Sequence, residues 1–163
     1  MLVALNFDES QRGTAAAEVQ RISSAKHGPN MKIVSFFGQI EKEMSELPEE
    51  EAGVFMAEYG ITESALTTLI REAYALLGLH SFFTVGEDEC RAWTIRTGMN
   101  AQEAAGVIHS DFVAKFIRAE VVHYDDFVAA DGSFSKAKES GRWRLEGKEY
   151  LVKDGDILTI RHS

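Results

Sequence analysis

"SFFTVGEDECRAWTIRTGMNAQEAAGVIHSDFVAKFIRAEVVHY", residues 81–124, changes its periodicity three times, and the order of those changes decides the fold. "SFFTVG" and "CRAWTIR" are β-branched and aromatic runs separated by "EDE", the pattern of two strands joined by a tight turn. Asn100 and Glu103 then have the spacing of a capping box, in which each residue satisfies a backbone N–H of the other at a helix start. The helix they open is expected over "AQEAAGVIHSDFVAKF", residues 101–116, with Ala104, Ile108, Phe112 and Phe116 stacking at intervals of four. "RAEVVHY" returns to a strand pattern.

Outward from this stretch, "SKAKESG" reads as a short helical turn. "WRLEGKEYLVKDGDILTIRH" reads as two or three short strands broken at Glu146-Gly147 and Asp154-Gly155. The order is therefore β-β-α-β, small helix, β-β. That is the outline of a ubiquitin-like β-grasp, a mixed sheet curling over one helix.

The first part of the chain reads differently. "MLVALNF" and "MKIVSFF" are continuous apolar runs suited to strands buried on both faces. Between them "TAAAEVQRISSAKHG" is helix-forming and closes on Gly28-Pro29. Together they make one parallel β-α-β unit. "GQIEKEMSEL" and "EEEAGVFMAEYG" look helical. "ITESALTTLIREAYALLGL" is the clearest helix in the chain: Leu66, Leu69, Ile70, Ala73 and Leu77 recur on one face, Thr62 is the expected N-cap and Gly78 the stop. Two parallel strands cannot cover themselves, so this part is expected to be the tail of a larger α/β domain. The chain is read as α+β, with a partial α/β unit over residues 1–79 and a β-grasp over residues 80–163.

The bulk numbers agree with a folded protein. Of 163 residues 45% are hydrophobic and ten are Phe, enough for a core. No run of about 18 apolar residues suits a membrane span, and the N-terminus lacks a basic-then-apolar leader pattern, so no membrane partner and a cytoplasmic location are expected. The lone Cys90 excludes an internal disulfide and a cysteine-based metal site. The net charge of −9 is uneven. Residues 1–79 hold 6 Lys/Arg against 12 Asp/Glu, and residues 80–163 hold 11 against 14, so a basic face is to be sought in the second part.

"RAWTIRTGMNAQEAAGVIHSDFVAKFIRAEVVHYDDF", followed by "GRWRLEGKEYLVKDGDILTIRHS", closely resembles the C-terminal TGS domain of the YchF family, the Obg-like ATPases of the translation-factor class. The likeness runs from about Leu79 to the end and includes words as long as "AAGVIH", "FIRAEV" and "YLVKDGD". "MLVALNFDE" and "IVSFFGQIEKEMSEL" similarly resemble the last part of that family's nucleotide-binding domain.

The resemblance implies a role for the end of the first strand. P-loop GTPases read guanine with N-K-x-D, whereas YchF-like proteins carry N-x-x-E, which the family associates with weak guanine preference and use of ATP. Here the motif maps to Asn6, Phe7, Asp8 and Glu9. By itself the spacing is weak, because a strand end with Asp8 or Ser10 as a helix cap reads the same. The next base-side loop would be Ser35, Phe36, Phe37 and Gly38. The family often has small residues there, so Phe36 and Phe37 depart from it; they are either core or part of the base pocket.

What the resemblance does not supply is the phosphate chemistry. The chain has no G-x-x-x-x-G-K-[ST] string to cradle the phosphates and bring Mg²⁺, and no D-x-x-G switch. ATP or GTP is therefore expected to bind weakly or not at all, with Mg²⁺ used only in the full-length family, and no catalytic residue is assigned. Asp125/Asp126 and Glu49-Glu50-Glu51 read as solvated faces or helix starts. His109 and His123 lack the spacing of metal ligands.

TGS domains imply contact with RNA or the ribosome. Candidate contacts are Lys115, Arg118, Lys136, Lys138, Arg142, Arg144 and Lys148. In a strand, Arg142 and Arg144 would share one face and Trp143 the other. Either Trp143 packs inside over a merely soluble surface, or the arginines form a binding face. Three functional classes stay open: a ribosome- or RNA-binding module, an NTPase activity inherited from the full-length family, and an interaction protein forming a homo-oligomer through the open edge of the first sheet.

Overall fold

The computed structural model describes residues 1–25, 30–86 and 88–163, which fall into two compact units, Met1–Leu77 and Gly78–Ser163. Helices and strands are mixed, as the α+β reading expects.

In the first unit β1 (Leu2–Asn6) leads through a 3-10 turn (Glu9–Gln11) into α1 (Arg12–Ser24), and β2 (Lys32–Phe36) returns parallel to β1 with Leu2 opposite Lys32 and Asn6 opposite Phe36. The closure expected at Gly28-Pro29 lies outside the described residues. Helices α2 (Gly38–Ser45), α3 (Glu49–Tyr59) and α4 (Ala65–Leu77) follow. Both α1 and α4 pack on β2, around buried Ala15, Val34 and Ile40.

Two expectations for this unit are corrected, the burial of β1 and the cap of α4. Ala4 and Asn6 are exposed, so β1 is not buried on both faces. On α4, Leu66, Ile70 and Leu77 are 66%, 52% and 63% exposed, and only Leu69 and Ala73 of that stripe are half-buried. The cause of both is shared: the described sheet has two strands, too narrow to cover a helix face or shield both sides of β1. The cap of α4 is not Thr62. Ser64 precedes the helix, its Oγ accepting the N–H of Thr67 at 3.2 Å, while the Glu41 carboxylate accepts the N–H of Ala65 at 2.9 Å. Gly78, at φ 64°, stops the helix as the sequence suggests.

In the second unit β3 (Leu79–Val85) and β4 (Cys90–Arg96) form the expected hairpin. After them come α5 (Ala101–Ile108), α6 (Ser110–Lys115), β5 (Phe116–His123), α7 (Tyr124–Ala129), α8 (Phe134–Glu139), β6 (Arg144–Glu146) and β7 (Asp156–His162). The described strands lie in the order β4-β3-β7-β5-β6. β7 runs parallel to β3 and antiparallel to β5.

Because strand side chains alternate, neighbouring residues of one strand enter opposite cores. Phe82, Val121 and Leu158 pack with Ala101 and Ala104 of α5 on one face. Phe83, Val122 and Ile157 meet Ala130, Phe127, Phe134 and Ala137 of the α7–α8 segment on the other. The helix expected over residues 101–116 is two helices. His109 adopts an extended φ of −157° between them, and its Nδ1 accepts the N–H of Asp111 at 3.2 Å, starting α6 afresh. His123 does the same for α7, accepting from the N–H of Asp125 at 3.3 Å.

A buried polar cluster ties β6 to β7. Asp156 is fully buried. Its Oδ2 accepts the Tyr150 hydroxyl at 2.8 Å and the N–H of Lys153 at 2.9 Å, and Arg144 Nη2 lies 3.7 Å from its Oδ1. Burial, together with the hydrogen bond to Asp156, pushes the Tyr150 hydroxyl well above the ordinary phenol value. A pKa raised on folding means the neutral phenol contributes fully below the unfolded value of about 10 and progressively less above it. Urea titrations from pH 9 to about 11.5 should show stability falling with pH in the native chain, with a shallower fall in Tyr150→Phe.

Candidate functional site

The N-x-x-E segment leaves the end of β1, and its residues take separate tasks. Asn6 Oδ1 accepts the N–H of Gly38 at 2.9 Å, joining the end of β1 to the start of α2, and beside it the N–H of Phe7 donates to the Phe36 carbonyl at 2.9 Å. The approach is tight: a Cβ at residue 38 would lie 2.9 Å from Asn6 Oδ1, so a larger residue there would displace the Asn6 side chain. Asp8 caps the 3-10 turn, its Oδ1 accepting the Ser10 N–H at 3.0 Å and the Ser10 hydroxyl at 2.6 Å, and these bonds hold its carboxyl below the usual range. Asp8 is thus the cap of a turn, while Asn6 spans the ends of the two strands.

Glu9 is the member of the motif left with a free carboxylate edge. One oxygen accepts the Tyr59 hydroxyl at 3.3 Å, and the Glu9 charge pushes the Tyr59 phenol upward. Tyr59 is itself held: Arg12 Nη2 donates to its carbonyl at 2.8 Å, the guanidinium sits 4.7 Å from its ring centroid, and Phe55 stacks on it at 4.5 Å. Phe7 and Phe37 meet at 6.2 Å with a 45° tilt. Phe36 is half-buried opposite Asn6, and Ser35 is exposed opposite Leu5. The segment from the end of β1 through the 3-10 turn therefore carries a braced amide and a carboxylate acceptor, with the Phe7–Phe37 ring pair at the strand ends. Tyr59, Arg12 and Phe55 went unnoticed in the sequence, because they carry no motif and the Tyr59–Glu9 pair lies 50 positions apart.

Six of the seven candidate cations of the second unit already have a partner within it. Lys136 is 2.6 Å from Asp131, Arg142 3.7 Å from Asp126, Lys148 4.0 Å from Glu149 and Lys115 4.0 Å from Asp111. Lys138 lies over the Trp143 ring at 4.8 Å. Arg144 turns inward to Tyr150 and Asp156. Arg142 and Trp143 precede β6, so the expected strand alternation of Arg142, Trp143 and Arg144 does not occur; both backbone N–H groups instead donate to the Ala137 carbonyl, at 2.9 and 3.2 Å. Arg118 differs from the other six. It is exposed on β5 opposite Arg161, with neither a carboxylate nor a ring partner among the described residues.

The Asn6 bond makes a direct prediction. A neutral hydrogen bond contributes about 1 kcal/mol, so Asn6→Ala should speed amide exchange at Gly38 by roughly fivefold, while amides of β5 and β7 keep their native rates. Hydrogen exchange followed by NMR checks this, and unchanged exchange at Gly38 would contradict the bracing role.

A family model described as YchF-GTPase_C, protein of unknown function (DUF933), matches residues 79–163. The ribosome-binding ATPase YchF of Bacillus subtilis is 47% identical over 156 residues, covering 96% of this chain and 42% of that protein. Obg-like ATPase 1 of Gallus gallus is 44% identical over 138 residues, covering 85% of this chain and 34% of that protein. The solved structure of the Schizosaccharomyces pombe YchF GTPase superposes with a TM-score of 0.78 at 31% identity, over 97% of this chain and 42% of that one. The chain thus spans between about a third and two-fifths of the length of these relatives. A shared fold over nearly all of the chain, with a family match over its second half, makes it a member of the YchF family.

Proposed function

We propose that this chain is a ribosome-docking portion of a YchF-like ATP- or GTP-binding protein of the cytoplasm. In this reading the second unit is a TGS module of β-grasp type that contacts ribosomal RNA, and the first is the end of the P-loop domain. The observation that carries the reading is the 96% coverage of this chain by a relative named as a ribosome-binding ATPase. Among the described residues no helix is long and apolar enough to cross a membrane.

The contact begins at the start of β5. Arg118 lies there, with His162 and Arg161, itself paired to Glu120 at 2.7 Å, on the adjacent strand, and Phe112 is stacked on His162 at 4.4 Å. An uncommitted guanidinium beside stacked rings suits phosphate and unpaired bases. The self-paired Lys136, Arg142 and Lys148 contribute less, since each would have to leave a carboxylate to reach a phosphate. The first unit offers a purine only the wall formed by Asn6, Glu9 and Phe37, with ATP or GTP held weakly or not at all. Turnover belongs to the longer relatives.

Co-sedimentation with ribosomes across a salt series tests the docking. Each phosphate neutralised contributes roughly 0.7 to 0.9 to the slope of log affinity against log salt, so binding should fall steeply, and Arg118→Glu should weaken it and flatten the slope by about 1. Binding indifferent to both salt and Arg118→Glu would reject this reading.

A further inference from the structure

A strand at the border of a sheet presents alternate N–H and C=O groups to any chain that can lie beside it, and proteins blunt such borders with short strands, charges, proline or bulges. The two described borders of the second unit's sheet are treated unequally. β6 is three residues long, with Arg144 and Glu146 at its ends. β4 has seven residues and no proline, and its ladder with β3 runs without a register shift from Leu79 opposite Arg96 to Val85 opposite Cys90.

The hydrogen-bond phase of that ladder is fixed at both ends. The N–H of Thr97 donates to the Gly78 carbonyl at 2.8 Å, and the N–H of Gly86 donates to the Glu89 carbonyl at 2.8 Å. Alternation between those points turns the backbone groups of Arg91, Trp93 and Ile95 toward β3, and those of Cys90, Ala92 and Arg96 outward. Cys90 and Ala92 are small and exposed, so no side chain bars an approaching strand. They also form the outer wall of an apolar cavity of about 390 Å³ with Phe83, Val85, Tyr124 and Phe127. On the other face the Arg91 guanidinium lies 4.3 Å from the Trp93 ring centroid.

The charges along β4 select the occupant. Its hairpin end carries exposed Asp88 and Glu89, and its far end carries exposed Arg96, which has no carboxylate partner among the described residues. A strand acidic at one end and basic at the other is complementary to its own reversal. We propose that β4 is the interface between two copies of this chain, paired antiparallel about a two-fold axis through Ala92. In that register Ala92 faces Ala92 of the second copy as a hydrogen-bonded pair, Arg91 faces Trp93, and Asp88 faces Arg96, twice over. The isologous geometry closes on itself and converts two open borders into one continuous sheet. This interface is separate from the docking corner at Arg118 and does not depend on it.

Cross-linking tests the register. Facing Cα atoms of a hydrogen-bonded antiparallel pair are about 5.5 Å apart, within disulfide reach. Ala92→Cys in a Cys90→Ser background should form a covalent dimer on mild oxidation or with a short bis-thiol reagent, and native Cys90, which does not face its own copy, should do so far more slowly. Sedimentation equilibrium tests the charges: Asp88→Arg and Arg96→Asp should each weaken the dimer about tenfold, the equivalent of 1.4 kcal/mol, and the double variant should restore it. Three results would overturn the proposal: a monomer throughout the concentration range, a dimer in which the Ala92→Cys variant cross-links no faster than the native chain does through Cys90, or a double variant no better than the singles. The second of these is also what association through the first unit would give.

Discussion

The fold of the second unit depends on the placement of β7 between β3 and β5. A strand with partners on both sides and helices on both faces has no side left for water, so successive residues must each fill a different core. Leu158 enters the α5 face and Ile157 the α7–α8 face, both almost wholly buried. The rest follows from that demand. Parallel pairing of β3 with β7 requires a long return path, which α5, β5, α7, α8 and β6 supply. At the start of β7, Gly155 takes a φ of 79° so that the chain can turn in beside His123, and Asp156 anchors the entry through Tyr150 and Lys153. A polar side chain can be buried at that point because Tyr150 and Lys153 supply it with hydrogen bonds.

The first unit relies on fewer contacts, and its candidate site is correspondingly specific. One side-chain amide, Asn6, links the ends of two parallel strands across a glycine that nothing larger could replace without moving it. Glu9 is steadied from α3 by Tyr59, which Arg12 grips at both carbonyl and ring. An amide, a carboxylate and two aromatic rings thus stand near the ends of β1 and β2, each held by a named partner.

Local signals were legible in the sequence and long-range ones were not. The Asn100–Glu103 capping box, the β3–β4 hairpin and the Gly78 stop each depend on residues a few positions apart, and each stands as read. The interruption at His109 was hidden inside a run of good helix formers, because an imidazole acting as an N-cap acceptor gives no pattern. α7 was missed for the same reason, His123 doing for it what His109 does for α6. The stripe on α4 is legible as one apolar face but its exposure is not, since periodicity says which residues share a face and not how much sheet lies beneath. The Lys and Arg residues of the second unit were visible as charges. Their partners, such as Asp126 for Arg142 or Asp156 for Arg144, became visible only once the chain had folded.

The division between a purine-facing wall in one unit and a docking surface in the other is tested most directly by isothermal titration of this chain with ATP and with GTP in the presence of Mg²⁺. A base contact alone, without the phosphate interactions that dominate affinity in P-loop proteins, should give weak or undetectable heats for both nucleotides. Tight binding of either nucleotide, lost on Glu9→Ala, would contradict the account.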